Sequence, residues 1–404
     1  MKKWVLFLGI TTNVVFAQTS NLGELTVNEG TALSIVKSFE NKKDGVVVND
    51  GDFLLYSNLI NNGIFTFLST SGQTYLTGNN AQQIKGDEFI ELNTLVVNNL
   101  SREGISLSNF LTIDKEAQFL KGVLNKTPEG KITFLRNALA SNASNESYFK
   151  GEVEKLGNKD FEFPLGDKDA YRPIHISKPK KSTDVFTSKY HRESSDVKHS
   201  HSRKEGVISV IDTNEYWEVE RNVGDSEVLI TLTIDEDVIS PEVFNGSISG
   251  IHIVRWNEAE DLWIDEGGII EESNGVAKVT TILKLPKYGV FALARVKEDL
   301  LLTNGCLSVY NSISSNDDGV NDFLRIKCIE QFPNTVQIFN RWGNRVFQTK
   351  DYNNNTNNFK GISTGNTTIN PGSKLPSGTY YYILNYEHEG RMLKKGGYLY
   401  ITTN

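Results

Sequence analysis

Val46-Val47-Val48-Asn49-Asp50-Gly51 is followed by Leu54-Leu55-Tyr56-Ser57-Asn58 and then by Asn61-Asn62-Gly63-Ile64-Phe65-Thr66-Phe67. Each run is short, β-branched or aromatic, and bounded by Asn, Asp or Gly. β-branched and aromatic side chains fit a pleated surface, and Asn and Gly take the backbone angles of tight corners. The same chemistry recurs at Leu95-Val96-Val97-Asn98-Asn99, Leu107-Ser108-Asn109-Phe110-Leu111-Thr112-Ile113 and Lys131-Ile132-Thr133-Phe134-Leu135. Apolar-polar alternation at spacings of roughly 10–20 residues fits a β-solenoid over residues 18–150, each rung burying a face against the next. An irregular β-sandwich would use the same residues and is the other reading. The repeats are too degenerate for the rungs to be counted.

Downstream the strands lengthen and space out more evenly. Phe161-Glu162-Phe163, Tyr171 to Ile176, Tyr216-Trp217-Glu218-Val219, Val228 to Ile234, Ile251 to Trp256, Val276 to Leu283 and Tyr288 to Ala294 alternate in character. They predict a β-sandwich over 151–298. Between Lys178 and Lys204 lies a polar stretch with eight Lys/Arg against Asp184, Glu193 and Asp196. Lys297 to Asn304 reads as a linker, and residues 299–404 as a third module.

That module holds the loop Ser314 to Asp322, then Ile338-Phe339-Asn340-Arg341-Trp342-Gly343, Leu375-Pro376-Ser377-Gly378-Thr379-Tyr380-Tyr381-Tyr382, and Gly397-Tyr398-Leu399-Tyr400-Ile401. Its β runs predict a small Ig-like sandwich. In that order these residues resemble the gliding-motility-associated C-terminal domain, the type B sorting domain of the Bacteroidetes type IX secretion system. Ser315 and Asp317 stand where that family usually carries Pro and Gly. The resemblance covers about residues 306–404. It implies a partner, the type IX secretion machinery, and delivery to the cell surface or outside, with the protein's own activity in the preceding modules.

The start of the chain agrees with export. Met1-Lys2-Lys3, the apolar stretch Trp4 to Ile10 and Val15-Phe16-Ala17 before Gln18 read as a signal peptide over residues 1–17. No later stretch is apolar for long enough to span a bilayer as a helix. A net charge of −8 argues against nucleic acid as a partner. Two cysteines, Cys306 and Cys328, are an even pair in an exported chain and predict one disulfide.

Candidate chemistry is sparse. Gly361-Ile362-Ser363-Thr364-Gly365 matches the G-x-S-x-G pattern, but a polar Asn-rich run precedes it where the nucleophile elbow needs a strand. His191, His199 and His201 lie in the basic stretch, where a solvated loop competes with a metal pair lacking a third ligand. The same cations could meet anionic polysaccharide. Trp217, Trp256 and Trp263 fit either a glycan platform or a sandwich core, and the core is the commoner fate. Asn316, Asp318, Asn321 and Asp322 offer oxygens for a structural Ca²⁺, and Gly319 the turn between them; a hydrogen-bonded Asx turn uses the same residues without an ion. The loop is not an EF-hand, because Arg325 falls where the bidentate Glu belongs. The reading is an all-β, non-catalytic, adhesin-like protein of the cell surface, binding surface glycans or polysaccharide. An extracellular polysaccharide hydrolase and a structural matrix component are the alternatives.

Overall fold

The computed structural model describes residues 18–273, 275–297, 307–316, 321–364, 372–388 and 390–403. The expected signal peptide, Cys306, and Asp318 and Gly319 of the proposed calcium loop lie outside the described residues. Strand makes up 54% of the described residues and helix 2%, so the all-β expectation holds. Among the described residues no helix is long and apolar enough to cross a membrane.

The N-terminal region is a β-solenoid of about seven turns. One face is a seven-stranded parallel sheet running from Thr19–Asn21 through Phe39–Asn41 and Leu59–Asn61 to Phe149–Lys150. A second ladder starts at Glu24–Val27 and ends at Glu152–Leu156; a third starts at Ala32–Ile35 and ends at Leu139–Ser141. The two ladders share the long strands Ile90–Asn99 and Phe110–Lys121. Alternate residues point inward, so Phe39, Phe53, Phe65, Leu95, Ile113 and Phe134 fill the bore. Phe39, Phe53 and Phe65 meet edge-to-face at 5.4 and 5.5 Å, the geometry aromatic quadrupoles favour.

Polar side chains hold the corners. Asn21 Nδ2 donates to Asn41 Oδ1 (2.9 Å), and Asn41 Nδ2 donates to Asn61 Oδ1 (2.9 Å). Asn61 Nδ2 then donates to the carbonyls of Glu88 and Phe89. Asn41 and Asn61 are fully buried, and every such amide must be satisfied within the protein.

The solenoid does not end on a bare edge. Its last parallel strand, Glu152–Leu156, pairs antiparallel with Val185–His191, and the sheet continues through Tyr216–Val223, Gly289–Val296, Ile251–Asn257 and Leu262–Gly267. A second sheet of Phe161–Phe163, Ile174–Ile176, Ile230–Ile234, Val276–Thr280 and Ile269–Ser273 packs over it. One apolar core runs unbroken from Val27 to Leu293 through both regions. The edge that a parallel ladder would leave open is thereby paired and covered.

The C-terminal module is a five-stranded sheet. It is built from Ser312–Ser314, Arg391–Thr402, Gly378–His388, Asn334–Asn340 and Arg345–Lys350. Its inner face carries Tyr380, Tyr382, Leu384, Tyr386, Leu399 and Ile401. The short pair Ser308–Val309 and Ile326–Lys327, with loops carrying Tyr352 and Phe359, covers that face.

Candidate functional site

The basic stretch is only partly a solvated loop: Lys178, Lys180, Lys181, Lys198 and Arg203 are exposed outside the strands. Val185–His191 is a central strand of the large sheet, and the segment after it folds back over two tryptophans. His199 lies 5.1 Å from the Trp256 ring, and its carbonyl accepts from Trp263 Nε1 at 3.0 Å. His201 Nε2 pairs with Ser195 Oγ at 2.8 Å. His199 and His201 therefore sit in turns rather than on one strand face, and burial holds both imidazoles below their ordinary pKa. Trp217, Trp256 and Trp263 are all buried, so none of them forms an exposed platform. Among the described residues no group of three or more His, Cys, Asp or Glu is placed to hold a metal. Ser363 is buried too, with Oγ donating to the Val346 carbonyl at 3.4 Å.

Two surfaces that the sequence does not announce remain. The first is a cleft of about 950 Å³ at one end of the second sheet of the sandwich. Glu162, Asp235, Glu236, Asp237 and Glu272 line it, with Lys278 the exposed cation among them. Its carboxylates are partly engaged: Glu162 accepts from Tyr171 Oη (2.9 Å) and Lys278 Nζ (3.0 Å), and Asp235 lies 3.7 Å from Arg172. Arg172 itself is committed to buried Glu215, with Nε–Oε2 at 2.9 Å and Nη2–Oε1 at 2.6 Å. Burial and the neighbouring Glu162 charge push the Tyr171 phenol far up, so it stays a neutral donor.

The second surface is on the solenoid. The register Phe65↔Ile90↔Leu111 stacks the preceding residues Ile64, Phe89 and Phe110 on three successive turns. They are 58%, 53% and 55% exposed. Parallel strands lie about 4.8 Å apart, so the three side chains make one continuous apolar stripe. A groove beside it is lined by Lys43, Asn62, Glu88 and Glu91 together with Ile64 and Phe89. In the sequence each of the three follows a corner (Asn62-Gly63-Ile64, Glu88-Phe89, Asn109-Phe110), but unequal turn lengths conceal the alignment.

The C-terminal module combines an Asn-capped hairpin with a Tyr-rich pair of long strands. Asn340 Oδ1 accepts from the amides of Trp342 and Asn344 (3.0 Å each), which fixes the turn. Trp342 stays exposed there, under the Arg341 guanidinium at 4.4 Å. The adjoining strands Gly378–His388 and Arg391–Thr402 pair over their whole length. This is a type IX secretion signal domain. Residues 307–401 match the family described as CHU_C type IX secretion signal domain. Neither curated proteins nor solved structures yield a match to the chain. The signal domain implies an interaction with the type IX secretion machinery and export to the cell surface or outside. In its first loop Asn321 takes a positive φ of 55° and its carbonyl accepts from the Ser314 amide at 2.8 Å. That backbone bond ties Asn321 to the strand Ser312–Ser314. Cys328 opens the 3₁₀ turn Ile329–Gln331 at φ 59°.

Proposed function

We propose that the chain is a non-catalytic surface-binding protein, with the solenoid and sandwich as passenger and the signal domain as its address. The stripe Ile64–Phe89–Phe110 supports this reading. Three large apolar side chains stand half-exposed at the strand repeat, and contiguous exposed apolar surface marks a contact face. Flat apolar faces beside carboxylates and an ammonium group suit a saccharide, whose C–H faces stack on rings while its hydroxyls hydrogen-bond. Rigid strands present such an array without ordering cost on binding.

The test is retention of the purified exported protein on glycan arrays and on whole cells, against Phe89→Ala/Phe110→Ala. Retention is expected for the parent and a loss of at least about tenfold for the variant. Equal retention by both would remove the stripe from the function. The acidic cleft favours a second reading, polysaccharide hydrolysis, because carboxylates lie on several sides of one concavity. Release of reducing ends that is abolished by Glu272→Gln would establish that reading instead.

A further inference from the structure

We propose that the secretion signal domain is interlocked with its passenger through Ile282, so that the two stay together when the chain between them is cut. Ile282 belongs to the sandwich, yet its side chain is held between two backbones. On one side is Gly267 of the sandwich and on the other Gly396 of the signal sheet; a Cβ at either glycine would collide with Ile282 Cδ1. Gly396 has no conformational reason to be glycine, because its φ is not in the left-handed region. It stands in the middle of the long strand Arg391–Thr402, where glycine weakens a sheet and commonly marks close approach by another group. The signal sheet gives up a side chain there, and the sandwich fills the space.

The surroundings make this a built contact. Ile269 and Ile282 of the sandwich join Phe339 and Ile383 of the signal sheet in one cluster, each no more than 6% exposed. Phe339 and Ile383 point away from the signal domain's own core, so the passenger is what buries them. Polar contacts flank the cluster. Tyr381 Oη donates to Glu271 at 3.3 Å, and Gly343 of the hairpin packs on the Lys284 methylenes. Across a neighbouring cleft Lys394 of the signal strand faces Glu205 and Asp265 of the sandwich. One consequence concerns recognition: with Phe339, Tyr381 and Ile383 against the passenger, that part of the sheet is closed to outside partners. The exposed hairpin tip at Arg341 and Trp342 lies outside the cluster and stays open.

The experiment uses the full chain with a site-specific protease sequence placed within residues 298–306. After cleavage, the two pieces are expected to co-elute from a sizing column at micromolar concentration. Gly396→Val fills the socket with a residue suited to strands, and Ile282→Ala removes the knob. Each is expected to weaken association by about a hundredfold or more while the circular dichroism of both pieces is unchanged. Parent pieces that separate on cleavage would overturn the interlock. So would an Ile282→Ala protein whose pieces stay associated as tightly as the parent's. If Gly396→Val does not fold, Ile282→Ala alone decides.

Discussion

Arg172 is as deeply buried as the aliphatic residues around it, and its partners explain why. Its guanidinium makes a two-point pair with Glu215 and donates to the Thr233 carbonyl at 2.8 Å; the Glu215 carboxylate also accepts from Tyr190 Oη at 2.8 Å. Asp212 lies near this network, and among the described residues no cation pairs with it. Its Oδ1 accepts from the amides of Asn214 (2.9 Å) and Ser240 (3.0 Å). Burial, followed by the nearby Glu215 charge, pushes its pKa from 3.8 up to about 6. The folded-state value lies above the unfolded one, so the fold favours the protonated form. That contribution is present below about pH 4 and is lost as pH rises through about 6, a difference on the order of 2–3 kcal/mol. Asp212→Asn keeps Oδ1 as acceptor and removes the charge. It is expected to raise stability at pH 7 by about 1–2 kcal/mol and to flatten the pH dependence between about 4 and 6. Urea melts across that range are the measurement, and a variant less stable than the parent at pH 7 would sink the account. None of this was legible in the sequence, where Arg172 and Glu215 are distant charged residues in strand-like runs. A polar residue in an alternating pattern does not declare which face it takes when a partner from another strand can satisfy it.

At the scale of the element, the solenoid was legible and its rungs were not. Short β-branched runs with Asn and Gly at the corners were enough for the architecture, because those residue types have few other uses at that density. The register eluded the reading because turns differ in length and two pairs of strands fuse into the long ones, Ile90–Asn99 and Phe110–Lys121. The better signal was the Asn column, since Asn21, Asn41 and Asn61 recur at equal intervals in the first three turns. Asn41 is its centre, donating to Asn61 Oδ1 and the Ile64 carbonyl (2.9 Å each) and accepting from Asn21. Asn41→Ala strands buried acceptors and leaves a small void, at a cost of about 2–4 kcal/mol. Asn21→Ala, at the solvated end of the column, is expected to cost about 1 kcal/mol or less. Thermal melts of the two variants distinguish a column that propagates order from corners that act singly. Equal shifts would mean the latter.

At the scale of the whole molecule, the parts have unequal independence. The passenger's two regions share one core and one continuous sheet, which neither run of strand-like sequence could reveal, because pairing between Glu152–Leu156 and Val185–His191 is a long-range fact. The signal domain has a core of its own, and its motifs were readable because several appear in fixed order. Export follows as a prediction about address rather than about stability. Removing residues 306–404 is expected to leave the passenger in the periplasm, and removing residues 1–17 to leave the chain in the cytoplasm, as read by immunoblots of cell fractions. The first deletion also uncovers Ile269 and Ile282, and an exposed apolar patch can retain a protein by aggregation alone. The control is therefore a gain of function. Residues 299–404 joined to an unrelated folded reporter behind residues 1–17 are expected to carry it to the surface or the medium. A stranded reporter, together with normal delivery of the truncated passenger, would show that the address lies elsewhere in the chain.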